Sequence, residues 1–162
     1  IQHGWGNISG KELVRRFWEA TCRGGYAGHG ETFMNSDNIL WWSHGGTLHG
    51  ESPERFKFLQ KILSETPGVG LMPIRASWDE VAATVEDTTE GMKQVHDYYL
   101  YYYSFMRPSF REFYYDDCSS FEVEVIDTWE MTVEYKGVFT GKFTIDLPGK
   151  EYMAIRVRKV KR

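Results

Sequence analysis

The stretch between residues 28 and 52 concentrates side chains able to hold a polar ligand. It opens Gly28-His29-Gly30-Glu31-Thr32-Phe33 and closes Trp41-Trp42-Ser43-His44-Gly45-Gly46-Thr47-Leu48-His49-Gly50-Glu51-Ser52. Imidazoles and carboxylates supply directional hydrogen bonds. Tryptophans supply flat apolar platforms, and glycines let backbone approach a ligand closely. A core has little use for this mixture; a pocket for a flat-faced, hydroxyl-rich molecule such as a sugar uses all of it. His29 and Glu31 are two apart, so on an extended segment both project to one side and can reach one ligand. The same spacing also suits a hydrogen-bonded pair that merely supports the loop. Trp41 and Trp42 point opposite ways on an extended segment, so at most one of them stacks on a ligand and the other belongs to the core. With His49 these four form the expected substrate-binding set.

Other chemistries find less support. His44 and His49 flank Gly45-Gly46, but no third metal ligand has suitable spacing. The H-x-E of His29 and Glu31 lacks the P-C-x-x-C that zinc deaminases require. Neither a G-x-S-x-G elbow nor a phosphate-binding glycine motif is present. The reading therefore expects no metal and no cofactor, with a metal-dependent enzyme through His29, His44 and His49 as the weaker alternative. Asp127 shares a strand side with Val123 and Val125, so it is expected to be partly buried and to fix a sheet corner through hydrogen bonds.

The elements that position these residues are well marked. Ser9-Gly10-Lys11-Glu12 has the form of a capping box, followed by Leu13, Val14, Phe17, Trp18 and Thr21 on one helical face and a Gly24-Gly25 stop. A second helix is expected to start at Ser52 as N-cap with Pro53 in its first position. It would bury Phe56, Leu59, Ile62 and Leu63 and end at Pro67-Gly68. Residues 26–33 read as a short strand between them. From residue 97 onward the pattern alternates with period 2. Phe121, Val123 and Val125 are one row; Phe139, Gly141, Phe143, Ile145 and Leu147 are another. Residues 98–105 are aromatic on both faces, as in a central strand. Turns are expected at residues 106–109, 116–119, 136–137 and 148–150. The C-terminal basic run from Arg156 reads as a solvated strand edge, and Glu122, Glu124, Glu130 and Glu134 as a solvated face.

The chain has 162 residues, 41% hydrophobic and 16% aromatic, enough for a real core. Its net charge of −4 and lack of a strongly basic face argue against a nucleic-acid partner. No apolar run is long enough for a membrane span. Two cysteines, Cys22 and Cys118, are too few for a disulfide scaffold, and Cys22 is expected to be a small buried hydrophobe. The sequence opens without a Met and in mid-pattern, which is the form of a piece of a longer chain; its compartment cannot be read from such an end.

Taken as a set, several strings resemble a known family. Gly4-Trp5-Gly6-Asn7, the run from Arg15 to Ala20, Gly28-His29-Gly30-Glu31-Thr32, Trp41-Trp42-Ser43 and Leu48-His49-Gly50-Glu51-Ser52-Pro53 resemble the closing part of bacterial (β/α)8 glycoside hydrolases of the apiosidase and cellulase-like clan. Ile126-Asp127-Thr128-Trp129-Glu130-Met131, Thr140-Gly141-Lys142-Phe143 and Leu147-Pro148-Gly149-Lys150 resemble their C-terminal β-sandwich of unknown function. The resemblance implies an α+β fold in which two helices and a Gly/Trp-rich loop end a barrel (residues 1–75). A linker (76–96) and an antiparallel β-sandwich (97–162) follow. It implies that the catalytic carboxylates of a retaining enzyme lie upstream, that residues 26–33 are the eighth barrel strand, and that the partners are carbohydrate and the rest of the parent chain. A severed barrel end would bare apolar helix faces, so a homodimer is also expected.

Overall fold

The computed structural model describes residues 8–31, 33–34, 40–41, 48, 50–68, 70–85, 96–116 and 118–160. Helix α1 (Gly10–Cys22) starts at the expected cap: the Ser9 hydroxyl accepts from the Glu12 backbone N–H at 3.3 Å. Strands β1 (Phe33–Met34) and β2 (Leu40–Trp41) pair as a short antiparallel ladder. Helix α2 (Ser52–Ser64) follows, then β3 (Leu71–Ala76), β4 (Val81–Val85), β5 (Tyr98–Tyr102), β6 (Phe110–Tyr114) and β7 (Ser120–Asp127). The described elements close with β8 (Thr132–Thr140), β9 (Lys142–Asp146) and β10 (Met153–Lys159).

Six strands make one antiparallel sheet in the order β3-β4-β5-β10-β7-β8, and β6 pairs with β9 as a second, two-stranded sheet. The large sheet is covered on both faces. On one face Tyr99, Tyr101, Phe121, Val123, Ile155 and Val157 meet Phe113, Phe143 and Ile145 of β6 and β9. On the other, Tyr98, Leu100, Tyr102, Ile126 and Ala154 meet Val14, Trp18, Cys22, Leu59 and Ile62 of the helices. Strand β5 thus buries every side chain, which is why its sequence is aromatic on both faces. Trp18 is wholly buried beside the Tyr102 ring at 5.7 Å, and Phe17 stacks on Phe56 at 4.1 Å to join the helices. Burial pushes the Cys22 thiol up to about 12, so it packs as an inert hydrophobe.

This architecture corrects the barrel-end expectation. Apart from one parallel bridge between Ile8 and Glu31, the described residues show no parallel strands beside α1 and α2. The apolar helix stripes, expected to be bare after the loss of a barrel, are covered by the antiparallel sheet. A helix stripe reads the same in sequence whatever surface covers it. Residues 25–30 form no regular strand, and Tyr26 is fully exposed. The stretch 76–96, expected as a linker, contains β4, which joins the sheet through β5. Edge strand β3 carries Pro73, tolerated where one side of the backbone has no partner strand among the described residues.

Two local readings also change. The expected turn at Lys136-Gly137 lies inside β8, as a register shift opposite Val123 and Glu124 with Gly137 at φ 124°. A β-bulge uses the same glycine as a turn does. The basic run is not an edge: β10 lies between β5 and β7, and Arg156 is 3% exposed. It bonds Glu124 at 2.6 Å and Glu65 at 2.7 Å, so Glu124 does not belong to a solvated face. Asp127 does fix a corner: its Oδ1 accepts from the backbone N–H of Trp129 (3.0 Å) and Glu130 (2.9 Å).

The start of α1 is pH-sensitive. The Arg15 guanidinium bonded to Glu12 at 2.7 and 2.8 Å, with Arg16 at 2.6 Å, holds the Glu12 carboxyl down at about 2 against an ordinary 4.5. A folded pKa below the unfolded one stabilises fully above the unfolded value, and the contribution is lost as pH falls from there toward the folded value. Glu12→Gln should therefore flatten the fall in stability between pH 4.5 and 2, by about 1 kcal/mol after solvent screening. Urea midpoints across that window check it; parallel curves for variant and parent would disprove the assignment.

Candidate functional site

Glu31 lies where the starts of both helices meet. It is 5% exposed, and its two carboxylate oxygens accept from the backbone N–H groups of Glu51 and Ser52, each at 2.8 Å. The first N–H groups of a helix have no partner inside it and carry the positive end of its dipole. A carboxylate there satisfies both demands. The sequence signals Ser52 as the N-cap of α2; the structure puts Glu51 in that position without a side-chain cap bond, and Ser52 inside the helix. The capping group comes instead from Glu31, far back in the chain.

Two glycines make room for that carboxylate. A Cβ on Gly10 would stand 2.8 Å from Glu31 Oε1. A Cβ on Gly50, whose φ is 103°, would fall on the carboxylate itself. Only glycine meets both the backbone and the steric demand at residue 50.

His29 sits on this base. Its Nε2 lies 3.3 Å from the hydroxyl of Ser52, and its ring stands edge-on to Phe56 at 5.8 Å and 86°. The ring is exposed, whereas Ser52 is fully buried. With the Ser52 hydroxyl buried, the contact holds the imidazole in its orientation. The exposed imidazole can hydrogen-bond a ligand hydroxyl through its other nitrogen. The structure thus brings His29 and Glu31 together through Ser52, one outside and one inside.

Of Trp41, the backbone is described, paired with Phe33; Trp42, His44 and His49 lie outside the described residues. The parts that sequence reasoning missed are the long-range cap, the orienting hydroxyl of Ser52 and the clearance at Gly10 and Gly50. The one available signal was Gly50 immediately before a helix start lacking a conventional cap at Glu51.

With the fold and this helix-start arrangement in place, comparison sets the chain among glycoside hydrolase architectures. It superposes on a candidate glycoside hydrolase from Bacteroides vulgatus ATCC 8482 with a TM-score of 0.79 at 25% identity, covering 99% of this chain and 34% of that one. Two further likenesses concern the fold alone. A glycoside hydrolase matches with a TM-score of 0.66 at 13% identity, over 100% of this chain and 40% of that one. A family 5 glycoside hydrolase from Bacteroides vulgatus ATCC 8482 matches with a TM-score of 0.59 at 14% identity, over 92% and 36%. The chain therefore spans between a third and two fifths of these proteins. Residues 78–158 match the family described as Domain of unknown function (DUF5605), and the chain belongs to that family. No curated protein sequence matches it.

Proposed function

We propose that this chain is the non-catalytic part of a larger glycoside hydrolase acting on plant or bacterial polysaccharide, bracing that enzyme and lending it sugar-contacting residues. The supporting observation is the match of nearly the whole chain to about a third of the candidate glycoside hydrolase. A retaining hydrolase needs two carboxylates about 5–5.5 Å apart and open to the glycosidic bond. Glu31 has both oxygens committed to the start of α2. In this reading His29 touches sugar, Glu31 holds the base beneath it, and one of Trp41 and Trp42, with His49, walls the same subsite.

The test uses the longer reading frame containing this segment. That protein should hydrolyse an aryl glycoside or plant polysaccharide, and the 162-residue chain alone should not. In the longer protein His29→Ala should raise KM about tenfold with kcat little changed, as loss of one ground-state hydrogen bond would. No turnover by the longer protein, turnover by the short chain, or an effect of His29→Ala on kcat alone would each defeat the proposal.

A second reading, a carbohydrate- or polymer-binding module without catalytic duty, is favoured by one observation. Phe110 and Tyr114, four apart on β6, are both exposed and therefore share one strand face. Against it, residues 98–103 are buried between layers, as a bracing element would be.

A further inference from the structure

The turn between β7 and β8, residues 128–131, reaches across to the start of α2. It is fixed from its own side first. The Thr128 N–H and hydroxyl both donate to the Tyr152 carbonyl, at 3.0 and 2.8 Å. Asp127, which holds the N–H groups of Trp129 and Glu130, is itself paired with Lys150. Backbone bonded at this many points has little freedom to move.

Arg55, in the first turn of α2, spans the gap to the helix start. Its Nε donates to the Trp129 carbonyl at 3.0 Å, and its Nη1 donates to the Glu51 carbonyl at 2.6 Å. The guanidinium lies over the Trp129 ring, 3.5 Å from the centroid, and the Lys11 ammonium of α1 lies 5.3 Å from the same centroid. A planar fork can hold two carbonyls and stack on an aromatic ring at once. The ring is half-buried and packs against the helix-side core, so it offers the guanidinium a fixed surface.

The Glu51 carbonyl matters because of what shares its peptide plane. The other end of that unit is the Ser52 N–H, which donates to Glu31 Oε2 at 2.8 Å. A peptide unit is rigid, so holding its carbonyl aims its N–H. A donor on the carbonyl also polarises the unit and strengthens the bond that its N–H makes. Ser52 carries, in addition, the hydroxyl that meets His29 at 3.3 Å. One continuous set of bonds therefore runs from the β7–β8 turn through Arg55 and the 51–52 peptide to the exposed imidazole.

We propose that Arg55 and Trp129 are positioning residues for the sugar contact at His29: the β7–β8 turn holds the peptide unit between residues 51 and 52, and with it the Ser52 hydroxyl that sets the direction of the imidazole. The inference rests on the reading of His29 as a sugar contact. It gives the family-matched part of the chain a specific duty there, since Trp129 lies within the matched residues 78–158 and His29, Ser52 and Arg55 lie outside them.

The test has two arms. In this chain, the ring-proton signals of His29, assigned with His29→Gln, are followed by NMR together with the Ser52 amide. Arg55→Met and Trp129→Ala should each move both, while the amide signals of β10 stay in place. Trp129→Phe keeps a ring beneath the guanidinium and should return the signals most of the way. Arg55→Lys should not, because an ammonium keeps the charge but cannot fork to two carbonyls; full recovery in that variant would defeat the proposal. So would unmoved His29 signals in Arg55→Met and Trp129→Ala, whatever happens to the melting temperature. In the longer protein, Arg55→Met should raise KM about fivefold with kcat little changed, within what one hydrogen bond contributes. Added to His29→Ala it should raise KM no further, because the contact it positions is already gone; additive effects overturn the coupling. If the longer protein turns over no glycoside, the proposed function falls, and the ring signals alone decide whether the turn positions His29.

Discussion

Glu31→Ala is expected to lower the unfolding free energy by about 2–4 kcal/mol. The change removes two charge-assisted hydrogen bonds from a buried carboxylate, each contributing about 1.5–3 kcal/mol, with part recovered as water reaches the freed N–H groups. It also removes the negative charge from the positive end of α2. Glu31→Gln keeps the shape and one accepting oxygen, so it should fall between parent and alanine variant. Gly10→Ala is an independent check, because its Cβ would crowd the carboxylate at 2.8 Å without touching its chemistry. Urea denaturation should show a lower midpoint at unchanged slope. A loss below about 0.5 kcal/mol for Glu31→Ala, within the range of ordinary surface substitutions, would show that the carboxylate is not the cap of α2.

Glu124→Ala is expected to cost about 3–5 kcal/mol, because it strands the buried guanidinium of Arg156 in the middle of the sheet. Burial alone would pull that guanidinium's pKa down; the bonds from Glu124 and Glu65 instead hold it above its ordinary value. Arg156 cannot shed its charge, so the lost partner must be replaced by water or by distortion of β10. The pair itself is a different matter. Arg156→Met combined with Glu124→Leu should restore most of the loss, since a buried ion pair is often no better than apolar groups of the same volume. Thermal and urea unfolding of the two single variants and the double variant give the coupling directly. If Glu124→Ala is mild and the double variant no better, Glu65 alone suffices to hold Arg156.

These two sites show how much of the molecule could be read from its residues. Local signals held: the Ser9 cap, the α1 stripe through Leu13, Val14 and Trp18, the doubly buried β5 and the corner at Asp127 are each set by neighbours a few positions away. Long-range pairing was not legible. Nothing near Ser52 says that its helix is capped by Glu31, and nothing near Arg156 says that β10 enters between β5 and β7. Basic residues alternating with Val157 look alike on an outer edge and on a central strand that hides an ion pair. Gly137 looks alike in a turn and in a bulge. The barrel expectation failed for the same reason: an apolar helix stripe does not declare which surface lies against it. At the candidate site the residue types His29 and Glu31 were legible, whereas the division of labour between them was not, because it depends on Ser52 and on space left by Gly10 and Gly50.

Strand β5 has one more consequence. Tyr98, Leu100 and Tyr102 belong to the helix side, while Tyr99 and Tyr101 belong to the side of β6 and β9. Strands β4, β7 and β10 likewise send alternate residues to the two sides, and β5 is buried throughout. Neither interior can melt while the other stays intact, since the same backbone would have to be ordered for one and disordered for the other. The two described layers are therefore expected to unfold in one transition, with damage felt by the helices passed to the opposite layer through the strands they share.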